Sequence, residues 1–269
     1  MSRVASRVLR VSAGEIGKDE ARALFRDYLL LVRRRVTMER RLKSISTPRL
    51  LDTLLKTLKC EEEMRWKFLL AWVGKDVTGR WLLGITGVGP VVAAGLLAHV
   101  DLNRMESVDS LWRYAGLDGP HDGRVYRPWW NPTLKAIAYW AGESFIKTKS
   151  QEGSFYGQLW TERRAYEEMQ NNKGALKWEA ERTLRKGYRW RKKTRETYEA
   201  GMLSPAHLSA RARRWTVKIF LSHFYETLLW NEWRQVPEPL GKIRPPNLAV
   251  ECGNPEQGSR SSTASERMR

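Results

Sequence analysis

The segment Leu82-Leu83-Gly84-Ile85-Thr86-Gly87-Val88-Gly89-Pro90-Val91-Val92-Ala93-Ala94-Gly95-Leu96-Leu97 constrains the fold more than any other stretch of the chain. Gly87 and Gly89 allow a tight turn with φ > 0. Pro90 stands where a helix begins, since its missing N–H costs nothing at the first helical position. The helix that follows is apolar on nearly every side, so it belongs in the interior with other elements packed around it. What stays exposed is the turn, with unpaired N–H groups and the positive end of a helix dipole. Such a turn binds a phosphate oxygen without reading a base. Gly87, Val88, Gly89 and Val91 are the candidate contacts. The order apolar, Gly-Val-Gly, small-residue helix is the helix-hairpin-helix pattern of non-specific duplex binding, with a plain Gly-rich helix–helix turn as the alternative. A nucleotide P-loop does not fit, because no Gly-Lys-Ser/Thr follows the glycines.

Helical spacing recurs on both sides of this segment. Phe25, Leu29, Val32 and Val36 fall on one helix face, with Arg33, Arg34, Arg35, Arg40, Arg41 and Lys43 over much of the rest. Thr47-Pro48 reads as an N-cap followed by Pro at the first helical position, and Leu51, Leu54, Leu55 and Leu58 open a second stripe carried on by Phe68 and Trp72. Residues 19–78 thus form a helical hairpin or a short coiled coil, ending in a polar break at Gly74–Gly79. Ser107–Leu117 is a short helix ended at Gly116, with Ser107 and Ser110 at its cap. Asn131-Pro132 restarts helix with Leu134, Ile137, Ala138, Ala141 and Phe145 inward. Ser154 caps a helix that runs to about Asn171, and Ser204-Pro205 starts the last one, with Leu208, Ala212, Trp215, Ile219 and His223 at helical spacing. No run of alternating strands appears, so the predicted class is all-α. Residues 79–235 read as one helical DNA-binding domain, and residues 1–18 and 236–269 as disordered ends.

Lys and Arg number 48 against 30 Asp and Glu, a formal charge of +18, which points to a polyanionic partner. The 42% of hydrophobic residues and 13 Trp are enough for a core. The longest apolar run, Val88–Val100, falls short of the ~18–20 residues of a membrane span. Met1–Arg10 lacks an apolar h-region, so no secretory signal is expected. Cys60 and Cys252 make neither a disulfide framework nor a zinc site. A cytoplasmic, nucleoid-associated protein follows. From Arg182 to Arg195 the chain holds eight basic residues and no acid, interleaved with Tyr188 and Trp190. Arg185, Lys186, Arg189, Arg191, Lys192 and Lys193 in such a run bind phosphates by charge while the rings stack on bases or sugars. A solvated charge run is the alternative reading. In the last helix His207, Arg211, Arg214 and Lys218 share a face opposite Leu208, Ala212, Trp215 and Ile219, and add a second basic surface.

Leu83-Gly84-Ile85-Thr86-Gly87-Val88-Gly89-Pro90, Met105-Glu106-Ser107 through Leu111, Tyr114-Ala115-Gly116-Leu117, Asn131-Pro132-Thr133-Leu134-Lys135 and Ala210–Leu221 follow one another in a familiar order. Together they resemble the C-terminal domain of insertion-sequence transposases of the IS-one-ten type (with IS-one-sixteen and IS-nine-oh-two), over about Trp81–Trp233. The resemblance implies a helix-hairpin-helix DNA-binding domain at work in transposition or recombination, with Lys135 in a small basic motif that opens a helix. Full-length members carry an N-terminal RuvC-like domain whose acidic residues hold Mg²⁺, then a coiled coil, then this domain. The residues ahead of Trp81 are too few for a RuvC-like domain and lack its strands, which suggests a short stand-alone version.

The family also places a catalytic serine in the loop after Tyr-Ala-Gly-Leu. Here that loop reads Asp118-Gly119-Pro120-His121-Asp122-Gly123-Arg124-Val125-Tyr126-Arg127 and holds no serine. Tyr126, between Arg124 and Arg127 and near His121, is the remaining candidate nucleophile. Its alternative is a loop whose arginines hold the DNA backbone and whose Tyr stacks. Asp118 and Asp122 do not make a metal set by themselves. No cofactor is evident, and Mg²⁺ enters only with a nuclease partner. Activity, if present, is that of a DNA transposase or recombinase working with a guide RNA or a RuvC-like partner. The competing classes are a non-catalytic architectural or regulatory DNA binder and an RNA-binding module. Duplex DNA is the expected partner in the first two, membranes are not, and the N-terminal helices suit a homo-oligomer.

Overall fold

A computed structural model describes residues 16–45, 49–118 and 130–233. Among these residues there are ten α-helices, one 3-10 turn and no strand. The first two helices, α1 (Lys18–Leu42) and α2 (Arg49–Lys75), run antiparallel. Their ion pairs show this directly, because partner numbers fall in one helix as they rise in the other: Asp27 meets Arg65 at 2.5 Å, Arg35 meets Glu62 at 2.5 Å, and Glu39 meets Lys59 at 3.3 Å. Phe25 and Leu31 are buried, while Leu29, Val32 and Val36 are half-buried. Leu55 and Leu58 turn inward, but Leu54, expected in the same stripe, is 44% exposed. It is adjacent to Leu55 in sequence and therefore about 100° away around the helix. The cap expected at Thr47-Pro48 lies outside the described residues.

The polar break expected at Gly74–Gly79 narrows to one residue. Gly74 and Lys75 still belong to α2, and α3 (Val77–Leu83) starts straight after Asp76. The Asp76 carboxylate caps α3 by accepting from the Gly79 N–H at 2.8 Å. Gly79 permits the sharp joint: a Cβ there would lie 2.0 Å from the Val73 carbonyl oxygen.

Helix α4 (Pro90–His99) is the centre of the molecule, with every residue from Val92 to His99 buried. It packs on α1, α2, α3 and α6 (Pro132–Thr148). Gly95 makes the approach possible, since a Cβ would come 2.6 Å from Ile137 Cδ1 and 2.9 Å from Phe25 Cζ. After the 3-10 turn Leu102–Arg104, helix α5 (Val108–Tyr114) opens on a reciprocal cap between Ser107 and Ser110 and is followed by Gly116 at φ +66°. Asn131 caps α6 through bonds from the Thr133 and Leu134 amides, and the five apolar residues expected inward in α6 are all buried.

The long α10 (Pro205–Trp233) packs against α3, α5, α6 and α7 (Phe155–Asn172). Phe145, Tyr156 and Phe220 join these helices in a ring cluster with centroids 4.8–5.2 Å apart. Phe25, Leu69 and Val73 lie in the same contiguous core as Leu96, Ile137, Phe220 and Leu229, so segments 19–78 and 79–235 meet in it.

A second, smaller core (Leu176, Ala180, Tyr198, Leu203 and Leu208) is built by α8 (Lys177–Leu184), α9 (Lys192–Glu199) and the start of α10. Buried polar groups fasten it to the main body. Asn171 exchanges two hydrogen bonds with the Leu203 backbone. Glu167, 2% exposed, accepts from Arg163 at 2.7 Å and from Arg211 at 2.8 Å, and Arg211 also holds Glu179. Replacing Arg211 with Met is expected to cost about 2 kcal/mol in denaturant unfolding. That is below the ~3–5 kcal/mol of a wholly uncompensated buried charge, because Arg163 still serves Glu167. An unchanged midpoint would show that the pair does not fasten the two cores.

Candidate nucleic-acid interface

The turn between α3 and α4 is assembled from apolar anchors and glycine. Ile85 and Val88 are buried beneath it, and the Val88 N–H donates to the Ile85 carbonyl at 2.9 Å. Gly87 sits at φ +96°, as its place in the turn required. Gly89 does not: its φ of −91° and ψ of 172° are extended, and it serves as the N-cap of α4. No side chain caps α4. With the Val88 amide committed inside the turn, the amides of Gly89 and Val91 stand at the positive end of the helix without an intrahelical acceptor.

The turn packs against the C-terminal end of α6. A Cβ at Gly87 would lie 2.9 Å from Thr148 Oγ1, so the turn abuts the last residue of α6. Lys147 and Lys149 flank Thr148 and are exposed, and Lys149 Nζ lies 5.0 Å from the Trp160 ring centroid.

The two glycines separate structure from binding. Gly87→Ala is expected to lower stability by about 1–2 kcal/mol, because its φ is strained for a side chain and Thr148 is in the way. Gly89→Ala meets nothing within 4 Å and should leave the unfolding midpoint unchanged. Its methyl group would instead obstruct close approach of a phosphate, and should weaken duplex binding by about 1–2 kcal/mol. Equal effects of Gly89→Ala on stability and binding would contradict this assignment.

The basic run is ordered by aromatic packing. It comprises the end of α8, a stretch turned by Gly187 at φ +65°, and the first turns of α9. Trp190 and Leu184 pack on the smaller core, and the rings of Tyr188, Trp190 and Tyr198 follow one another at 5.4 and 5.2 Å. Arg185, Lys186, Arg189, Arg191, Lys192 and Lys193 are all exposed. Among the described residues none of these six is ion-paired to a carboxylate, whereas Arg195 holds Glu199 at 2.8 Å. Tyr188 (61% exposed) stands within the run and Trp178 (58% exposed) at the start of α8, both open as stacking surfaces.

The stripe expected on α10 divides. Arg214 is exposed, but Arg211 faces Glu167 and Glu179, His207 Nε2 lies 3.3 Å from Glu179, and Lys218 pairs with Asp118 while lying over the Trp112 ring. The acids of α7 and α8 and the start of the Asp118 loop face that side of α10, which is why its cations turn inward. Lys135 is exposed, with Nζ 4.4 Å from the Trp130 ring centroid. His121, Arg124, Tyr126 and Arg127 lie outside the described residues. The stem that bears them is closed by the Asn131 N–H donating to the Tyr114 carbonyl at 2.8 Å. Among the described residues no group of three or more His, Cys, Asp or Glu side chains is placed to hold a metal ion, and no helix is long and apolar enough to cross a membrane.

No protein-family profile matches the chain, and comparison with curated proteins and with solved structures gives no match either.

Proposed function

We propose that the protein holds duplex DNA through its phosphates, largely without reading base sequence, as a helix-hairpin-helix DNA-binding protein of transposase type. The observation that carries this reading is the α3–α4 turn, where glycine places backbone amides at a helix N-terminus that no side chain caps. The exposed cations of 185–193 extend the phosphate surface. The motif order that resembles insertion-sequence transposases sets this binding within DNA transposition or recombination, with a guide RNA or a RuvC-like, Mg²⁺-dependent nuclease as further partner. Self-association through α1 and α2 belongs to the same reading and is supported by exposed Leu30, Leu50 and Leu54. An architectural or regulatory DNA binder would use the same surface without the nuclease.

A second reading, RNA binding, draws on exposed Tyr188 and Trp178, which suit unpaired bases. Competition separates the two. A labelled duplex bound to the full chain should be displaced by unlabelled duplex of unrelated sequence at concentrations well below those needed with structured RNA. The reverse order would replace the DNA reading with the RNA one.

A further inference from the structure

The hairpin of α1 and α2 reaches beyond the main core. That core takes Leu24, Phe25, Tyr28 and Leu29 from α1 and Leu69, Trp72 and Val73 from α2. Leu31, Leu55 and Leu58 are buried as well, but among the described residues they belong to neither core. From Leu31 on α1 back to Leu58 on α2 the two helices therefore rest on each other, as an arm tied by the pairs Arg35–Glu62 and Glu39–Lys59.

One side of the arm carries charge that nothing offsets. Between Arg33 and Lys43 the exposed side chains are Arg33, Arg34, Thr37, Arg40, Arg41 and Lys43, five cations with no acid and no apolar group among them. Glu39, the one acid of that stretch, is held by Arg35 at 3.0 Å and Lys59 at 3.3 Å. On α2, Asp52, Glu61, Glu62 and Glu63 are held by Lys56, Arg65, Arg35 and Lys67. Among the described residues none of the five cations is ion-paired. Arg33 and Arg40, like Arg34 and Arg41, are two turns apart, so each pair follows one line along the helix at a spacing of about 10.5 Å. The helix dipole favours cations at the end of α1, which covers Arg40, Arg41 and Lys43. Arg33 and Arg34 lie more than two turns before Leu42, where the dipole gives no reason for them.

We propose that this row of cations is a second surface for duplex phosphates, so that one chain holds two duplex segments at once. Four of the five are Arg, which grips a phosphate through two parallel N–H bonds. A membrane surface would require apolar side chains among the cations. Between Arg33 and Lys43 none is exposed, and Leu30 and Ile45 beyond its ends stand singly. The arm stands apart from the first surface: α1 packs on α2 and α4, whereas residues 185–193 are ordered on the smaller core. It is the weaker of the two, because neither a glycine turn nor an aromatic ring accompanies its cations. The inference rests on the duplex reading for its class of partner and adds a second site to it.

The test counts duplexes per chain. The full chain is titrated at low salt with a labelled duplex of about 12 base pairs, ~40 Å long, and the stoichiometry is read by sedimentation. The wild type should bind two, the second step with a log–log salt slope of about −4.5, as five phosphate contacts give. Changing Arg33, Arg34, Arg40, Arg41 and Lys43 together to Gln should weaken the second step about a hundredfold and leave the first within about threefold. Helix content by circular dichroism should not change, since the five are exposed and Gln suits a helix. Changing Arg185, Lys186, Arg189, Lys192 and Lys193 to Gln should instead weaken the first step and leave the shallower one as it was. One duplex per chain in the wild type, or two bound undiminished by the arm variant, would overturn the inference and leave the function proposed above standing. Binding to phosphatidylserine vesicles that the arm variant loses while both duplex steps stay intact would overturn it too, and assign the arm to a membrane. Failure of the wild type to bind any duplex would refute the proposed function itself, and this inference with it.

Discussion

Changing Arg185, Lys186, Arg189, Lys192 and Lys193 together to Gln is expected to weaken duplex binding on the order of a hundredfold to a thousandfold at physiological salt. Each phosphate contact releases close to one condensed counterion, so removing five should also flatten the log–log salt slope by about 4.5. The fold should be indifferent, because these side chains are exposed and the anchors Leu184, Trp190 and Tyr198 remain. The matched control removes five exposed cations elsewhere, Arg33, Arg34, Arg40 and Arg41 on α1 and Lys43 just after it. If binding depends on the ordered surface at 185–193, the control should lose far less affinity than the test variant. Equal losses would mean that binding follows net charge alone.

The second large effect concerns stability. Phe25→Ala should cost about 3–5 kcal/mol, since truncating a fully buried aromatic leaves a cavity that its surroundings only partly fill. The ring fills the space that Gly95 opens on α4 and meets the edge of His99 at a centroid distance of 5.4 Å. That cost is a large share of the ~5–15 kcal/mol stability of an ordinary domain. Because Phe25 shares its core with Phe220 and Leu229 at the other end of the chain, the whole molecule should unfold in one transition at lower urea. Tryptophan fluorescence and far-ultraviolet circular dichroism should then report the same midpoint. A separate early transition confined to α1 and α2 would show that the N-terminal helices are an appendage.

Much of this architecture is legible in the chain because it depends on neighbours in sequence. The inward face of α6, the reciprocal Ser107–Ser110 cap and the stop at Gly116 each follow from spacing within a turn or two. The buried α4 follows from its lack of any polar face. Gly89 could not be read the same way. Both glycines of a Gly-Val-Gly turn tolerate φ > 0, and only the position of the helix start decides that Gly89 is an extended cap.

The remaining features are properties of pairs distant in sequence. Nothing near Arg211 or Lys218 shows that Glu167, Glu179 and Asp118 will meet them, so cations expected to face DNA hold the molecule together instead. The same holds for the end of α6, which meets the turn at Thr148 although nothing near Gly87 in sequence announces it. In the basic run composition showed the charge, but its order comes from Trp190 packing on Tyr198 and the smaller core, which no periodicity announces.

The claim that this chain grips duplex DNA by its phosphates is tested most directly by the affinity of the wild-type protein for unrelated duplexes across a range of salt concentrations. Eight or so phosphate contacts predict a log–log slope of roughly −7 that is the same for every duplex. A flat response to salt, or a strong preference for one duplex at every salt concentration, would contradict it.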